Sequence, residues 1–226
     1  MRTLIHSART LSPAPADSRA VDDRTADDRT ADGRAAVEAP APGATPRALF
    51  ITCSDSRVVP TLLTGTAPGE LHELRTAGHI VPRYRSDAHC AIAATLEFAL
   101  GTLQVPDVIL CGHTDCTAVK ALQDDPPPAE LPLARNWFTR AAHRPGPDHD
   151  HRSTGGGHTP EQRHLLAQLH HLRTYPCVSR RLATRRLRVH AWQYDDRSGQ
   201  TLGWDAASRA FRPLRPALPA ALASTA

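Results

Sequence analysis

Two short motifs hold the residues of this chain that could do chemistry. They are C-S-D-S-R at residues 53–57 and G-H-T-D-C at residues 112–116. Together they supply two thiols, Cys53 and Cys116, and one imidazole, His113. Two thiolates and an imidazole form a zinc-binding set, and three protein ligands leave the fourth tetrahedral position open, as in catalytic rather than structural sites.

The alternative interpretation is that these residues only pack. A lone cysteine is often buried as a small hydrophobic residue. However, both motifs follow apolar runs, Ala48–Thr52 and Val108–Leu110, and His113 and Cys116 are three residues apart. In an open α/β sheet, ligand sites gather at the carboxyl ends of parallel strands. Two motifs that both end such strands are expected to converge, which favours a metal site.

The two motifs match C-x-D-S-R and H-x-x-C, the signatures of the β-class carbonic anhydrases, and the chain resembles that family from about Gly43 to Trp204. The resemblance implies reversible hydration of CO2 to bicarbonate and a proton. It also implies that Zn2+ is the cofactor and that Cys53, His113 and Cys116 are its ligands. The matching segments keep the family's order and spacing: Pro46–Val58, Pro68–Glu70, Arg75–Ile80, Thr95–Val119, Gln168–Pro176 and His190–Gly199.

The same resemblance implies two catalytic residues, Asp55 and Arg57. Paired with Arg57, Asp55 would accept the hydrogen of a zinc-bound hydroxide and direct the oxygen at CO2. Released from Arg57, Asp55 would become the fourth zinc ligand and stop the reaction. A simple buried ion pair is the alternative, but burying a pair costs desolvation that function or tight geometry must justify.

Substrate binding is expected from four residues: Ala44, Thr76, Gly78 and Gly112. The chain departs from the family at several points. Ala44 stands where a glutamine usually helps to hold the substrate, R-T-A-G-H at 75–79 replaces R-N-A-G-N, and Thr117 replaces a glycine. Two further functions therefore stay open: hydrolysis of carbon disulfide or carbonyl sulfide on the same zinc fold, and a zinc-binding paralogue with impaired catalysis.

An arginine-rich stretch lies between residues 173 and 188. A zinc finger would need four protein ligands within a compact span, and single-strand binders interleave aromatic residues with the basic ones. Neither pattern is present, so an exposed helix face is expected and no nucleic-acid partner. The histidine-rich segment 143–158 predicts a solvated loop rather than a second metal site.

Composition predicts one globular domain with tails, because 40% of the 226 residues are hydrophobic and 22% are charged, with a net charge of +4. The five cysteines cannot all pair, and two of them, Cys53 and Cys116, are assigned to the metal, which argues against a disulfide framework and for a reducing compartment. There is no secretory signal pattern and no run of transmembrane length, so a cytoplasmic protein without membrane contact is expected.

The predicted fold is α/β, with a parallel-sheet core flanked by helices as in β-carbonic anhydrases. Residues 1–45 are rich in Pro, Ala, Asp and Arg and are expected to be disordered. Residues 46–214 are expected to form the zinc domain and 215–226 a loose tail. The family's amino-terminal helices embrace a partner subunit, and no helical period replaces them here, so a homodimer or higher oligomer with reduced contact is expected.

Hydrophobic periodicity and end signals predict the individual elements. Strands are expected at Ala48–Cys53, Leu71–Thr76 and Val108–Cys111, and a hairpin from Leu187–Tyr194 and Gln200–Trp204. Helices are expected from Ser86-Asp87 to Leu103, from Cys116 onward, over Leu133–Ala142, and from a capping box at Thr159 to Arg173.

Overall fold

The computed structural model describes residues 46–55, 57–87, 90–123, 129–141 and 157–214. The expectations for residues 1–45 (including Ala44), for most of the histidine-rich segment and for residues 215–226 lie outside these ranges. The six strands form one sheet in the order β2-β1-β3-β4-β5-β6. Their bounds are β1 Ala48–Cys53, β2 Leu71–Thr76, β3 Asp107–His113, β4 Arg188–Tyr194, β5 Thr201–Asp205 and β6 Ala210–Pro213.

The first four strands of this order run parallel, which confirms the predicted parallel core. Strands β1 and β3 are buried along their whole length, as expected for central strands covered by helices on both faces. Thr52 pairs with Cys111 across them. The carboxyl ends of β1 and β3 therefore meet at one edge of the sheet, and the two motifs follow those ends.

The helix predicted after Ser86-Asp87 begins later than expected. The Asp87 carboxylate pairs with Arg85 at 3.0 Å instead of capping a helix, and Cys90 is still extended, with φ −132°. Helix α2 therefore begins at Ala91. It ends at Glu97 and continues as a π-helical turn over Phe98–Thr102, so the prediction of one regular helix from Ser86-Asp87 to Leu103 is wrong.

One of the remaining helices begins at the capping box predicted at Thr159. The predicted capping box is present, because Gln162 N donates to Thr159 Oγ1 at 3.3 Å and Thr159 N donates to Gln162 Oε1 at 3.1 Å. The helices are α1 Pro60–Thr64, α3 Thr117–Gln123, α4 Pro132–Ala141, α5 Pro160–Leu172 and α6 Pro176–Ala183. Among the described residues, none of the helices is both long enough and apolar enough to cross a membrane.

Strands β4, β5 and β6 form an antiparallel extension of the sheet. The β4–β5 hairpin was predicted, whereas β6 was not. Tyr194 pairs with Thr201, so the turn between these strands lies at the same end of the sheet as the two motifs. This turn carries Asp195 and Asp196.

Candidate metal centre

Three buried side chains converge where β1 and β3 end. Cys53 is the last residue of β1, His113 is the last residue of β3, and Cys116 comes directly before α3. Their ligand atoms all lie within 4.8 Å of one another, and the two sulfur atoms are 3.9 Å apart. This convergence agrees with the sequence prediction, and across the described ranges it is the one cluster of this kind.

The histidine of this cluster is oriented for metal binding. His113 Nδ1 donates to the Thr114 carbonyl at 2.8 Å, which leaves Nε2 as the unprotonated nitrogen. Nε2 is buried and has no hydrogen-bond partner among the described residues. A buried polar atom without a partner is costly, whereas a histidine that binds a metal commonly donates its other nitrogen to a backbone carbonyl. The orphaned Nε2 therefore fits a metal ligand.

The two thiols share one hydrogen bond. This bond with Cys116 lowers the pKa of Cys53 well below its ordinary value and raises the pKa of Cys116. Gly78 N donates to Cys53 Sγ at 3.3 Å and supports the thiolate further. Two sulfur donors and one imidazole nitrogen, all buried, fit Zn2+ with an open fourth position.

Beside this set, Asp55 and Arg57 form a bidentate ion pair. Arg57 Nε lies 3.0 Å from Asp55 Oδ1 and Nη2 lies 2.8 Å from Oδ2, the paired geometry that makes such bonds strong. The hydrogen bonds from the Arg57 side chain hold the pKa of Asp55 well below its usual range. Asp55 Oδ2 is 3.9 Å from His113 Nε2. The structure thus places an ionised carboxylate next to the Cys-His-Cys cluster.

Arg57 also contacts residues that the sequence motifs did not indicate. Its Nη1 pairs with Asp196 on the β4–β5 turn, and its Nη2 donates to the Asp115 carbonyl at 3.2 Å. The segment D-D-R-S-G at 195–199 has the composition of a turn, and no spacing rule connects it with residue 57, which lies 139 positions earlier than Asp196.

Arg75 is a second residue whose role only the structure reveals. Its Nη1 donates to the Cys53 carbonyl at 3.0 Å and its Nη2 donates to the Val58 carbonyl at 2.7 Å. These bonds connect β2 to the loop that follows Cys53. Arg75 thereby fixes the segment that presents Asp55 and Arg57.

The predicted substrate-binding residues have local roles in the fold. The Thr76 hydroxyl donates to the Ile80 carbonyl at 3.2 Å. Gly78 has φ +74°, and an added Cβ would lie 3.2 Å from Ala118 Cβ. At Gly112 an added Cβ would lie 3.1 Å from Gln193 Oε1 and 3.2 Å from His79 Cε1. Substrate binding by these residues stays a prediction.

His79, where the family has asparagine, is fully buried, and burial lowers its pKa well below the ordinary value. Both of its ring nitrogens, and both polar side-chain atoms of Gln193, find no partner within the described part of the chain. The two side chains approach Gly112 from different elements. His79 therefore packs beside Gly112, the residue that precedes His113.

Comparison with known proteins gives consistent matches. A family model described as carbonic anhydrase matches residues 48–201. The carbonic anhydrase of Pseudomonas aeruginosa is 44% identical over 169 residues, which is 74% of this chain and 76% of that protein. Carbonic anhydrase 1 of Escherichia coli O157:H7 is 37% identical over 175 residues, covering 75% and 78%.

A solved structure, that of the β-carbonic anhydrase CcaA, superposes with a TM-score of 0.64 at 33% identity and covers 76% of this chain and 85% of that chain. The matched region contains all of β1 to β4 and both motifs. Sequence, fold and the buried Cys-His-Cys cluster therefore agree, and the chain belongs to the β-carbonic anhydrase family of enzymes.

Proposed function

We propose that this enzyme hydrates CO2 reversibly to bicarbonate and a proton, with Zn2+ held by Cys53, His113 and Cys116. The observation that carries the proposal is the set of three buried donor atoms within 4.8 Å of one another, beside an ionised carboxylate. Bound at such a site, zinc lowers the pKa of a water molecule, so that a nucleophile is available near neutral pH.

The protein's own part in the reaction belongs to Asp55 and Arg57. Because the two hydrogen bonds from Arg57 keep Asp55 ionised and oriented, its carboxylate can only accept a hydrogen bond from the attacking water. Accepting that bond orients the oxygen lone pair toward the carbon of CO2. The hydrogen bond from His113 to Thr114 and the one from Gly78 to Cys53 keep the ligands in place.

Stopped-flow CO2 hydration by the zinc-loaded protein, with a pH indicator, tests the proposal. The expected result is hydration far above that of the Cys53→Ala variant. A protein with one zinc per chain and no hydration would contradict the proposal and favour the impaired paralogue. Hydrolysis of carbon disulfide or carbonyl sulfide without CO2 hydration would favour the related hydrolase.

We also propose that the chain forms a homo-oligomer, starting from a dimer. Strand β2 lies at the edge of the described sheet, and next to it the ring of Phe98, 49% exposed, lies 6.2 Å from the ring of His72. An unpaired edge with an exposed aromatic residue is suited to pairing with a second copy. Light scattering of the purified protein is expected to give at least twice the monomer mass.

The cytoplasmic location is part of the same proposal. All five cysteines are free thiols, and two of them, Cys53 and Cys116, are needed in reduced form by the proposed metal site. A reducing compartment would preserve them. Fractionation of the producing cells, with detection of the protein in the cytosolic fraction, tests this location.

A further inference from the structure

The guanidinium of Arg57 lies between two carboxylates. Its Nε and Nη2 donate to Asp55 at 3.0 Å and 2.8 Å, while Nη1 pairs with Asp196. The Arg57 side chain is 38% exposed, whereas that of Asp196 is 14% exposed. The better-fixed member of this second pair is therefore Asp196.

Asp196 is itself held by the segment that carries the metal ligands. The Thr114 hydroxyl donates to Asp196 Oδ1, and Asp196 N donates back to Thr114 Oγ1 at 3.2 Å. Thr114 N donates to the Tyr194 carbonyl at 3.0 Å. Three hydrogen bonds thus join the end of β4 and the β4–β5 turn to Thr114, the residue that follows His113.

The carboxylate of Asp196 is not needed to form the turn in which it lies. The neighbouring Asp195 performs that role, since it accepts from Arg197 N at 3.0 Å and from Ser198 Oγ at 2.7 Å. The Asp196 side chain instead points to Thr114 and Arg57. Its contacts indicate a function in placing Arg57.

Arg57 needs such placement because long side chains lose rotamer entropy when they are held in one geometry. If Arg57 turned to solvent, Asp55 Oδ1 would keep the hydrogen bond from the Arg57 backbone N at 3.0 Å, but Oδ2 would lose the guanidinium at 3.9 Å from His113 Nε2. Carboxylate oxygen is an ordinary zinc ligand. A misplaced Arg57 would therefore let Asp55 occupy the coordination position that the substrate water needs.

We propose that Asp196 is a positioning residue of this enzyme: it holds the Arg57 guanidinium in the orientation that keeps Asp55 away from the metal. The inference rests on the proposed function of the Asp55–Arg57 pair. Asp196 acts through Arg57, because its described side-chain partners are Arg57 and Thr114 rather than Cys53, His113 or Cys116. Thr114 is its support on the opposite side.

The test substitutes Asp196→Asn, which preserves size and removes the charge, in protein loaded with cobalt(II). Visible absorption of the cobalt reports the identity of the fourth ligand. The spectrum is expected to move from that of the wild type toward that of Arg57→Ala, and kcat/KM of the zinc enzyme is expected to fall roughly tenfold. Asp205→Asn, which removes the same charge at the opposite end of the sheet, is the control and should change neither.

The same Asp196→Asn substitution, made in the Asp55→Asn variant, distinguishes a positioning role of Asp196 from a general effect on the structure. With Asp55→Asn no carboxylate is present to move, so adding Asp196→Asn should leave the cobalt spectrum unchanged. The proposal is overturned if Asp196→Asn has the wild-type spectrum, if its shift persists in the Asp55→Asn background, or if wild type and Arg57→Ala already have the same spectrum. Absence of CO2 hydration in the wild type would instead reject the proposed function, and the spectra would still decide the role of Asp196.

Discussion

At the scale of single residues, the proposed zinc site depends on three side chains, each of which offers one ligand atom. Cys53, His113 and Cys116 are 4%, 0% and 0% exposed, so a water molecule from bulk solvent cannot easily take the place of a lost ligand. We expect Cys53→Ala, His113→Ala and Cys116→Ala each to lose most of the zinc during purification. Metal analysis by mass spectrometry measures this.

The matched control for the ligand variants is Cys177→Ala. Cys177 is a free, partly buried thiol on α6 and packs against the main hydrophobic core rather than the metal cluster. Its removal should leave zinc at one ion per chain. Full zinc retention in all three ligand variants would show that the ligand assignment is wrong.

Arg57 is expected to control activity without controlling metal content. Arg57→Ala removes the hydrogen bonds at 3.0 Å and 2.8 Å that hold Asp55, while the three ligands stay in place. We expect CO2 hydration to fall by about a hundredfold or more, with zinc still at one ion per chain. Arg85→Ala removes another Arg–Asp pair, formed at 3.0 Å on the surface, and should keep wild-type rates. Unchanged hydration in Arg57→Ala would remove Arg57 from the mechanism.

At the scale of elements, one buried carboxylate joins the amino-terminal ends of β3 and β4. Asp107, 1% exposed, accepts from Arg188 at 2.8 Å and 2.7 Å and from His190 at 3.1 Å. Asp107→Asn leaves these donors with a weaker acceptor. We expect it to lower the free energy of unfolding by about 1 to 3 kcal/mol, measured by urea denaturation. Asp205→Asn, at an exposed turn, is the control and should lower it by much less.

The contribution of Asp107 should also depend on pH. Burial opposes its ionisation, but the hydrogen bonds from Arg188 and His190 outweigh this and lower the pKa of Asp107 below its ordinary value. A carboxyl group whose pKa is lower in the folded state stabilises the fold above its unfolded pKa, and the stabilisation is lost as pH falls through the folded pKa. The difference in unfolding free energy between the wild type and Asp107→Asn should therefore be full at neutral pH and shrink in acid. A constant difference from neutral pH to about pH 3 would exclude this origin.

The sequence predicted those elements whose signals are local. Strands β1 and β2 have the predicted bounds, and the capping box at Thr159 is formed. The predicted start of α2 was wrong because the Asp87 carboxylate forms an ion pair with Arg85 instead of capping the helix. Strand β6 was missed because its four residues gain their hydrogen bonds from β5, which the short run A-F-R-P does not reveal.

The candidate site shows the same division between local and long-range information. All three ligands and the Asp55–Arg57 pair follow from motifs of five residues each. The contacts of Arg75 with Cys53 and Val58 and of Asp196 with Arg57 depend on strand order and on where a turn lies. Such contacts join residues far apart in the chain, and no residue spacing encodes them.

At the scale of the whole molecule, the sequence predicts a zinc domain that begins at residue 46 and ends at residue 214. Next to this predicted start, the backbone N of Arg47 donates to the Glu70 carbonyl at 2.7 Å, and the Arg47 side chain pairs with Glu70 at 2.8 Å. These bonds fasten the start of β1 to the residue before β2. A stable domain is therefore expected to begin close to Pro46.

A variant that lacks residues 1–45 tests this boundary and the proposed assembly together. We expect it to retain one zinc per chain and a midpoint temperature of unfolding within a few degrees of that of the full chain, because the Pro-, Ala-, Asp- and Arg-rich sequence of residues 1–45 predicts no hydrophobic core. If it also keeps the mass of the full-length oligomer in light scattering, the subunit contact lies within 46–226, with the β2 edge and Phe98 as the candidate surface. The matched variant Phe98→Glu in the full chain should then reduce the mass to that of a monomer. Loss of zinc on truncation would show that the amino-terminal segment is part of the folded domain and that the boundary at Pro46 is wrong.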